Sequence, residues 1–416
     1  MNEKVSLEVN GIKYLGFMEM NYSKSIEDLG GVFSFTASTE KNKFTPFKGQ
    51  EKCRVYINDY PLITGYIESM NYSYNENSHE ITINGRDKTC DIIDNSVVGD
   101  IDFTAPFSLE NLIRNVLDLA GLDEIKIINY IGEVDSFQSN EKLSNEVGEN
   151  MFDFLEKYCR KRGVLLTSDG DGDLVITRAG DQQLNTILLN EIDGNGGGNN
   201  IKNASINYDF SNRYYGYICK SQKNPSTENF EGIVDDLGDN PTAEELQEII
   251  EKDLNFENQV GTALDNEMRK TRILEFQNET SSPVVSNQER AKWEANIRRT
   301  RSLVYNCEVN YVFADEKNTA FFMPNKLIAV RDDFLDINAL MLIKSVNYNI
   351  SVSSGTSVKL QLVPKDAYKP MIQINTRDSK YNKVGTNVSQ TAVAPTTKQV
   401  SEFEFEKAYY KRSWGI

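Results

Sequence analysis

Along residues 32–38, VFSFTAS, and 53–59, CRVYIND, large apolar side chains alternate with small or polar ones. An alternation of two puts successive side chains on opposite faces of an extended chain, so both segments are expected to be strands with one buried face. The stretch 68–85, ESMNYSYNENSHEITING, reads as strand, turn and strand. Its centre, YNENSH, supplies asparagines that tolerate the backbone angles of a turn.

The period then lengthens. In SLENLIRNVLDLAG, residues 108–121, Leu109, Leu112, Ile113, Val116 and Ala120 share one helical face, with Ser108 as a cap and Gly121 as a stop. A second helix is expected in NMFDFLEKYCRKRG, residues 150–163, where Phe152, Leu155 and Cys159 share a side and Gly163 ends it. Its basic residues sit near the C-terminus, where the helix dipole favours them. VLLTSDGDGDLVITR follows as a hairpin, completing a small α+β unit over roughly 100–180. NEIDGNGGGNN (190–200) reads as a flexible connection, and ASINYDFSNRYYGYICKS returns to strand character. Whether the strands near 203–221 complete an earlier or a later sheet stays open. Residues 240–272 are highly charged, with Leu246, Ile249, Ile250 and Leu254 at helical spacing, and are expected to form a helical insertion. Residues 286–302 form a further expected helix, with Ser286 and Glu289 at capping-box spacing. From Leu303 to Leu362 strand patterns dominate again.

Two segments repeat each other. Ile67, Ser69, Asn71 and Tyr72 recur as Ile343, Ser345, Asn347 and Tyr348, and Met70, Tyr72 and Tyr74 match Val346, Tyr348 and Ile350 on one strand face. Upstream, VYIND (55–59) mirrors IAVRD (328–332); downstream, ITI (81–83) mirrors VKL (358–360), and Asp87 mirrors Asp366. Three strands in one order with similar spacing point to two related β-modules, one near each end of the chain.

Composition narrows the function classes. The 416 residues suggest two to four domains, and 39% hydrophobic with 26% charged residues is the range of a globular protein. A formal net charge of -17 argues against specific nucleic-acid binding, which needs clustered Lys and Arg. MNEKVSLEVN shows no signal-peptide pattern, and no long apolar run predicts membrane insertion by this chain. The cysteines, Cys53, Cys90, Cys159, Cys219 and Cys307, are odd in number and widely spaced, which reads as reduced thiols in a cytosolic assembly environment.

The densest candidate chemistry is ITINGRDKTCDIIDNSV, residues 81–97, preceded by the single histidine, His79. A Cys90–His79 nucleophile pair is disfavoured: the histidine lies in a polar turn eleven residues away, and nothing supplies an oxyanion hole. The structural reading is a clamp at a barrel corner, in which Arg86 pairs with Asp87 or Asp91. DGDGD (169–173) invites a calcium loop, but position six would be Leu174 instead of Gly and position twelve Gly180 instead of Glu, so a hairpin turn is expected. DGNGGGNN lacks the Lys-Ser/Thr of a phosphate loop. No cofactor, metal site or catalytic residue is therefore assigned. At the C-terminus, Phe403, Phe405, Tyr409, Tyr410 and Trp414 follow a linker-like stretch, 384–400. They suit either a strand docking on its own domain or an anchor on a partner.

INGRDKTCDIIDNSV resembles the stretch that ends the first barrel of Mu-like phage baseplate hub proteins. NMFDFLEKYCRKRGVLLTSDGDGDLVITR is similar to that family's middle domain, and RAKWEANIRRTRSLVYNCEV to the helix before its second barrel. MPNKLIAVRDDFLDINALMLIKSVNYNISVSSGTSVKLQLVPKDAY is similar to that barrel. The resemblance covers about 1–370; the acidic stretch near 227–265 and the C-terminal tail fall outside it. It implies an α+β, β-dominated fold: two related β-barrel modules around a small α+β middle domain, with a helical insertion and an extended C-terminal tail. The expected boundaries are 1–98, first barrel; 99–180, middle domain; 181–302, connecting strands and insertion; 303–370, second barrel; and 371–416, linker and tail. It further implies a structural hub in the virion's tail baseplate, assembled in the host cytoplasm as a homotrimer. Implied partners are the tail spike protein below, the tail tube or tube-initiator protein above, and other baseplate proteins, the tape measure protein among them. Two similar modules in each of three chains present six similar surfaces, which can meet a hexameric tube while keeping threefold symmetry for a spike. An acidic bore would let DNA slide past. A peptidoglycan-cleaving tail enzyme and a trimeric receptor-binding component are the alternatives.

Overall fold

The alternating segments pair into one long sheet. The computed structural model describes residues 3–38, 47–76, 78–99, 101, 107–132, 134, 136–137, 143–160, 162–180, 182–192, 198–220, 260–277, 287–315 and 320–368. The first module contributes β1 (Val5–Val9), β2 (Ile12–Tyr14), β3 (Glu19–Ser25), β4 (Val32–Ser38), β5 (Lys52–Ile57), β6 (Tyr60–Tyr74) and β7 (His79–Asp87). Every second side chain of β3 and β7 is buried, as the alternation requires.

A middle unit follows, with α1 (Cys90–Asp94), α2 (Leu109–Leu119), β8 (Ile127–Asn129), α3 (Met151–Arg160), β9 (Leu165–Ser168) and β10 (Leu174–Thr177). The Ser108 hydroxyl accepts from the Asn111 amide at 3.2 Å, and Gly121 (φ +72°) lies just past the helix end. Leu112, Ile113 and Val116 of α2, Phe154 and Leu155 of α3 and Leu174 and Ile176 of β10 belong to one buried apolar cluster, the core of this unit. After β11 (Gln182–Asn190) and β12 (Asn203–Tyr208) comes a small mixed sheet of β13 (Gly216–Lys220), β14 (Val260–Leu264) and β15 (Ile273–Gln277), covered by α4 (Asn287–Arg301). The second module closes with β16 (Leu303–Val309), β17 (Lys326–Asp332), β18 (Ile337–Ser351) and β19 (Gly355–Pro364).

The helix expected over 240–272 therefore gives way to strand from Val260; its residues 240–259 lie outside the described residues, as does Ser286. Val-Gly-Thr is a poor helix former. At Gly261 a Cβ would stand 2.0 Å from the Asn287 carbonyl carbon, so the strand needs glycine to lie against α4.

Thirteen strands form one sheet in the order β12-β16-β19-β18-β3-β4-β7-β6-β5-β1-β2, with β17 on β18 and β11 on β17. The two expected barrels are thus not closed among the described residues. The reason lies in β18, which is 15 residues long. One of its edges carries two partners: β17 along Ile337–Leu342 and β3 along Ser345–Ser351. The first module's β3 completes the second module's sheet, and the modules merge.

The repeat is visible in strand order. The runs β3-β4-β7-β6-β5 and β12-β16-β19-β18-β17 match element by element, all antiparallel; at the next place β1 lies antiparallel to β5 but β11 lies parallel to β17. A register shift falls between Ile67 and Ser69 in one hairpin and between Ile343 and Ser345 in the other. The extra residue of each bulge is charged: Glu68 reaches Arg86, and Lys344 reaches Glu27 at 3.1 Å. The ladders pair Ile81 with Tyr72 and Val358 with Tyr348, so ITI and VKL are equivalent. Upstream they place Cys53 with Ile328 and Val55 with Val330, two positions from the alignment of VYIND on IAVRD. Asp87 corresponds to Pro364, two positions before Asp366. A slip of two keeps every side chain on its face, so alternation alone could not detect it.

The two modules share one apolar core, in which the Tyr22 and Tyr348 rings lie 5.8 Å apart across the module boundary. The buried Tyr348 hydroxyl donates to the Phe322 carbonyl at 2.7 Å. Tyr348→Phe keeps the ring and deprives that carbonyl of its donor. It is expected to cost about 1–2 kcal/mol, read as a lower urea midpoint; an unchanged midpoint would show that the hydroxyl anchors nothing.

Candidate functional site: a buried joint and a polar sheet face

The segment 81–97 divides its charges between two faces. Successive β7 residues point opposite ways, so Arg86 faces outward and Asp87 inward. Arg86 binds Asp94 through both guanidinium nitrogens, at 3.1 and 2.5 Å, and reaches Glu68 at 3.2 Å. The clamp is thus Arg86–Asp94–Glu68, where spacing suggested Asp87 or Asp91. Asp91 is not the partner; burial and the charges of Asp94 and Glu68 push its carboxyl above the usual range.

Asp87 instead belongs to a joint between the first module and the middle unit. Its carboxylate accepts from the Thr89 amide (2.8 Å), the Thr89 hydroxyl (2.9 Å) and the Ser168 hydroxyl (2.6 Å). Ser168 accepts in turn from Lys24 at 2.7 Å. Burial pulls the Lys24 ammonium below its ordinary pKa, and the Asp87 and Asp169 charges oppose that. Lys88, the next residue on, pairs with Asp173 at 2.8 Å, the two side chains only 7% and 6% exposed.

The Gly/Asp turn is the other half of this joint. One Asp169 carboxylate oxygen accepts from the Asp171 and Asp173 amides, both at 2.9 Å. Asp171 pairs with Arg54 of β5 at 3.2 Å, and the Gly170 carbonyl accepts from Thr64 of β6 at 2.9 Å. Gly172 has φ +73°, and a Cβ there would lie 2.8 Å from both Lys88 Cβ and the Thr64 carbonyl oxygen. Of the acidic residues that suggested calcium, Asp171 and Asp173 dock the hairpin tip on the first module and Asp169 holds the turn's own amides. Among the described residues, no group of three or more His, Cys, Asp or Glu side chains is placed to hold a metal ion.

Cys90 and His79 do not meet. His79 begins β7 and stacks near Tyr74 at 6.0 Å, whereas Cys90 lies beyond the strand's other end. Burial, helped by Asp91, pushes the Cys90 thiol up to about 12. Cys53, Cys159 and Cys307 are also raised to about 12 and Cys219 to about 11, each chiefly by burial, so none is a ready thiolate.

The sheet's face away from the core is rich in serine and asparagine. Asn84 donates to Ser69 at 3.1 Å, and at the equivalent place in the repeat Ser345 donates to Gln361 at 2.9 Å. Across the module boundary Asn349 donates to Asn21 at 2.8 Å. Two shallow hollows, about 310 and 390 Å³, lie along this face and share Ser23 and Asn347. Glu308 is its main buried charge, accepting from Asn203 (2.6 Å), Ser357 (2.8 Å) and Lys202 (3.1 Å). The Asn203 hydrogen bond leads in holding its carboxyl down to about 2.

Three family profiles match in chain order. They are the N-terminal domain of Mu phage baseplate assembly protein GpP-like proteins over 4–87, the second domain of baseplate hub protein gp44-like proteins over 89–178, and the fourth domain of Mu phage baseplate assembly protein GpP over 283–371. The chain belongs to the Mu-like phage baseplate hub family. It is similar to the baseplate hub protein gp44 of Escherichia phage Mu, 23% identical over 385 residues, spanning 91% of this chain and 93% of that protein. Its fold is that of the 43 kDa tail protein of prophage MuSo2 from Shewanella oneidensis, with a TM-score of 0.68 and 24% identity over 89% of this chain and 100% of that one. A tail protein from Neisseria meningitidis MC58 gives a TM-score of 0.69 and 17% identity over 89% and 99%. The hub-family boundary at 87/89 falls on the Asp87–Lys88 joint. Phe403, Phe405, Tyr409, Tyr410 and Trp414 lie outside the described residues.

Two outcomes follow. Lys88→Met strands Asp173 among buried groups and is expected to cost about 3–5 kcal/mol in denaturant unfolding. Adding Asp173→Asn should recover much of that; no recovery would mean that packing by the lysine stem dominates. For Glu308, the folded pKa lies below the unfolded one, so its contribution is present above about pH 4.5 and lost as pH falls through about 2. The stability gap between the wild type and Glu308→Gln, followed by urea titration, should therefore shrink over that window. A gap constant from pH 5 to 2 would contradict this.

Proposed function

We propose that this chain is the structural hub of a contractile-tail baseplate. Three copies form a ring of pseudo-sixfold symmetry that joins a hexameric tail tube to a trimeric spike. The observation that carries this reading is the duplicated strand order with a bulge at the equivalent position in each copy. Two similar modules in each of three chains make six similar stations, enough to match sixfold and threefold partners on opposite sides of one ring. The joint built from Asp87, Lys88, Ser168 and Asp173 fits a part that carries load, because it locks the middle unit to the sheet at the family's own domain boundary.

The tail spike, the tube or its initiator and the tape measure protein are the partners this role calls for, and virion assembly in the host cytoplasm is its setting. The enzymatic reading finds no support in the segment that first suggested it: Arg86 is engaged by two carboxylates and the Cys90 thiol is held protonated. The test is mass in solution, by light scattering, for the full chain alone and mixed with a candidate spike protein. A species of three times the 47.2 kDa chain, capping the spike in the mixture, is expected. A monomer or dimer under both conditions, or lysis of cell walls by the purified protein, would overturn the reading.

A further inference from the structure

The small sheet of β13, β14 and β15 has one covered face and one bare one. A Cβ at Gly261 would strike Asn287 of α4, and the ladder partner of Gly261, Cys219, meets Asn287 at 3.8 Å. Tyr217, Cys219, Gly261 and Phe276 therefore face the helix. Alternation turns Ile218, Val260, Thr262, Leu264 and Ile273 the other way. On that side Leu264 and Ile273 are 39% and 46% exposed. Among the described elements α4 is the one that packs broadly on this sheet, and it takes the opposite face. An apolar sheet face gains stability only when another layer covers it.

A basic turn borders the bare face. Residues 265–272, DNEMRKTR, join β14 to β15 between Leu264 and Ile273. The turn is pinned at its base: Arg213 binds Asp265 at 3.0 and 2.7 Å, and Arg272 donates to the Phe210 carbonyl at 3.2 Å. Arg269 and Lys270 are exposed and meet no carboxylate among the described residues. In a chain of formal net charge -17, these are unspent cations beside an apolar surface.

We infer that residues 242–256 of the same chain form a helix that docks on this face. The chain leaves the sheet at Lys220 and rejoins it at Val260, which are ladder partners. Residues 221–259 between them lie outside the described residues. In their sequence Thr242 and Glu245 stand at capping-box spacing, and Leu246, Ile249, Ile250 and Leu254 follow at helical spacing. The remaining positions are strongly acidic: Glu244, Glu245, Glu248, Glu251 and Asp253 against Lys252. An apolar stripe among acids is the complement of an apolar face bordered by Arg269 and Lys270.

Length and tether agree with this placement. A helix over 242–256 would run about 22 Å, and the five-residue strands beneath it about 17 Å. Residues 257–259 return the chain to Val260, so the helix must end near the Lys220–Val260 pair. Its start then lies toward Leu264 and Ile273. That direction brings Glu244, Glu245 and Glu248 to the basic turn and lays the apolar stripe over Ile218, Leu264 and Ile273. Both ends of the segment are fastened to the sheet it covers, so a contact too weak to hold a separate peptide can persist.

Hydrogen–deuterium exchange of the full-length protein, read by mass spectrometry on fragments covering 242–256, tests the docking. A lone helix of this length is marginal in water, so protection reports a docked one. Amides there should exchange about tenfold or more slowly than in a synthetic peptide of the same residues. Arg269→Glu with Lys270→Glu, both exposed, should remove most of that protection while β13 and α4 keep theirs. Leu264→Asp with Ile273→Asp should do the same. Exchange at the peptide's rate in the wild type overturns the docking outright. Protection that survives either double variant places the segment elsewhere and overturns this face. Protection that falls on dilution to the monomer means that another copy supplies the segment, which overturns docking within one chain. None of these readings depends on whether the ring forms.

Discussion

A strand edge is a row of hydrogen-bonding groups that must find partners, and this structure is organised by how those edges are filled. The decisive case is β18, whose length and bulge let one edge serve two strands, β17 and then β3. That sharing turns two would-be barrels into a continuous sheet with one apolar core. It also fixes the orientation of one module to the other through backbone ladders, which tolerate little play, where a flexible tether would have allowed much. The middle unit is fastened to the same sheet by a different means: the buried Lys24–Ser168–Asp87 and Lys88–Asp173 contacts, and a hairpin tip held by Arg54 and Thr64.

For a baseplate hub these are useful properties. On the proposed reading the chain lies between a tube and a spike and must transmit force without changing shape, and long antiparallel ladders and paired buried charges such as Lys88–Asp173 both resist deformation. The buried thiols and occupied carboxylates around α1 fit the same picture: reactive groups serve as packing and fasteners. On the proposed reading, duplication of one module is a simple way for three chains to present six similar stations around a ring.

Much of this was legible in the sequence. The hairpin repeat could be read because strand residues alternate and because Ile-x-Ser-x-Asn-Tyr recurs at Ile67 and Ile343, with the bulge residue inside the recurring motif. The helices at 109–119 and 151–160 follow their apolar spacing and caps. The register of β5 against β17 was not legible, since a shift of two residues leaves a period-two pattern unchanged. Closure of each barrel was misjudged because pairing of β3 with β18 links residues more than three hundred positions apart, which no local pattern reports. Alternation along β7 argues against Asp87 as the partner of Arg86, because neighbours in a strand point opposite ways, but it does not single out Asp94 or Glu68. Asp87 and Lys88 as a joint were not legible, because Ser168 and Asp173 look like ordinary turn residues until the fold brings them across.

The central claim is that two copies of one sheet module alternate around a common axis. Cryo-electron microscopy of the assembled ring, reconstructed without imposed symmetry, tests it most directly. Rotational self-correlation of the layer holding the two sheets should peak at every sixth of a turn, while the layer holding the middle units should peak only at every third. A sheet layer with threefold peaks alone, or a ring in which the two modules lie at different radii, would contradict the account.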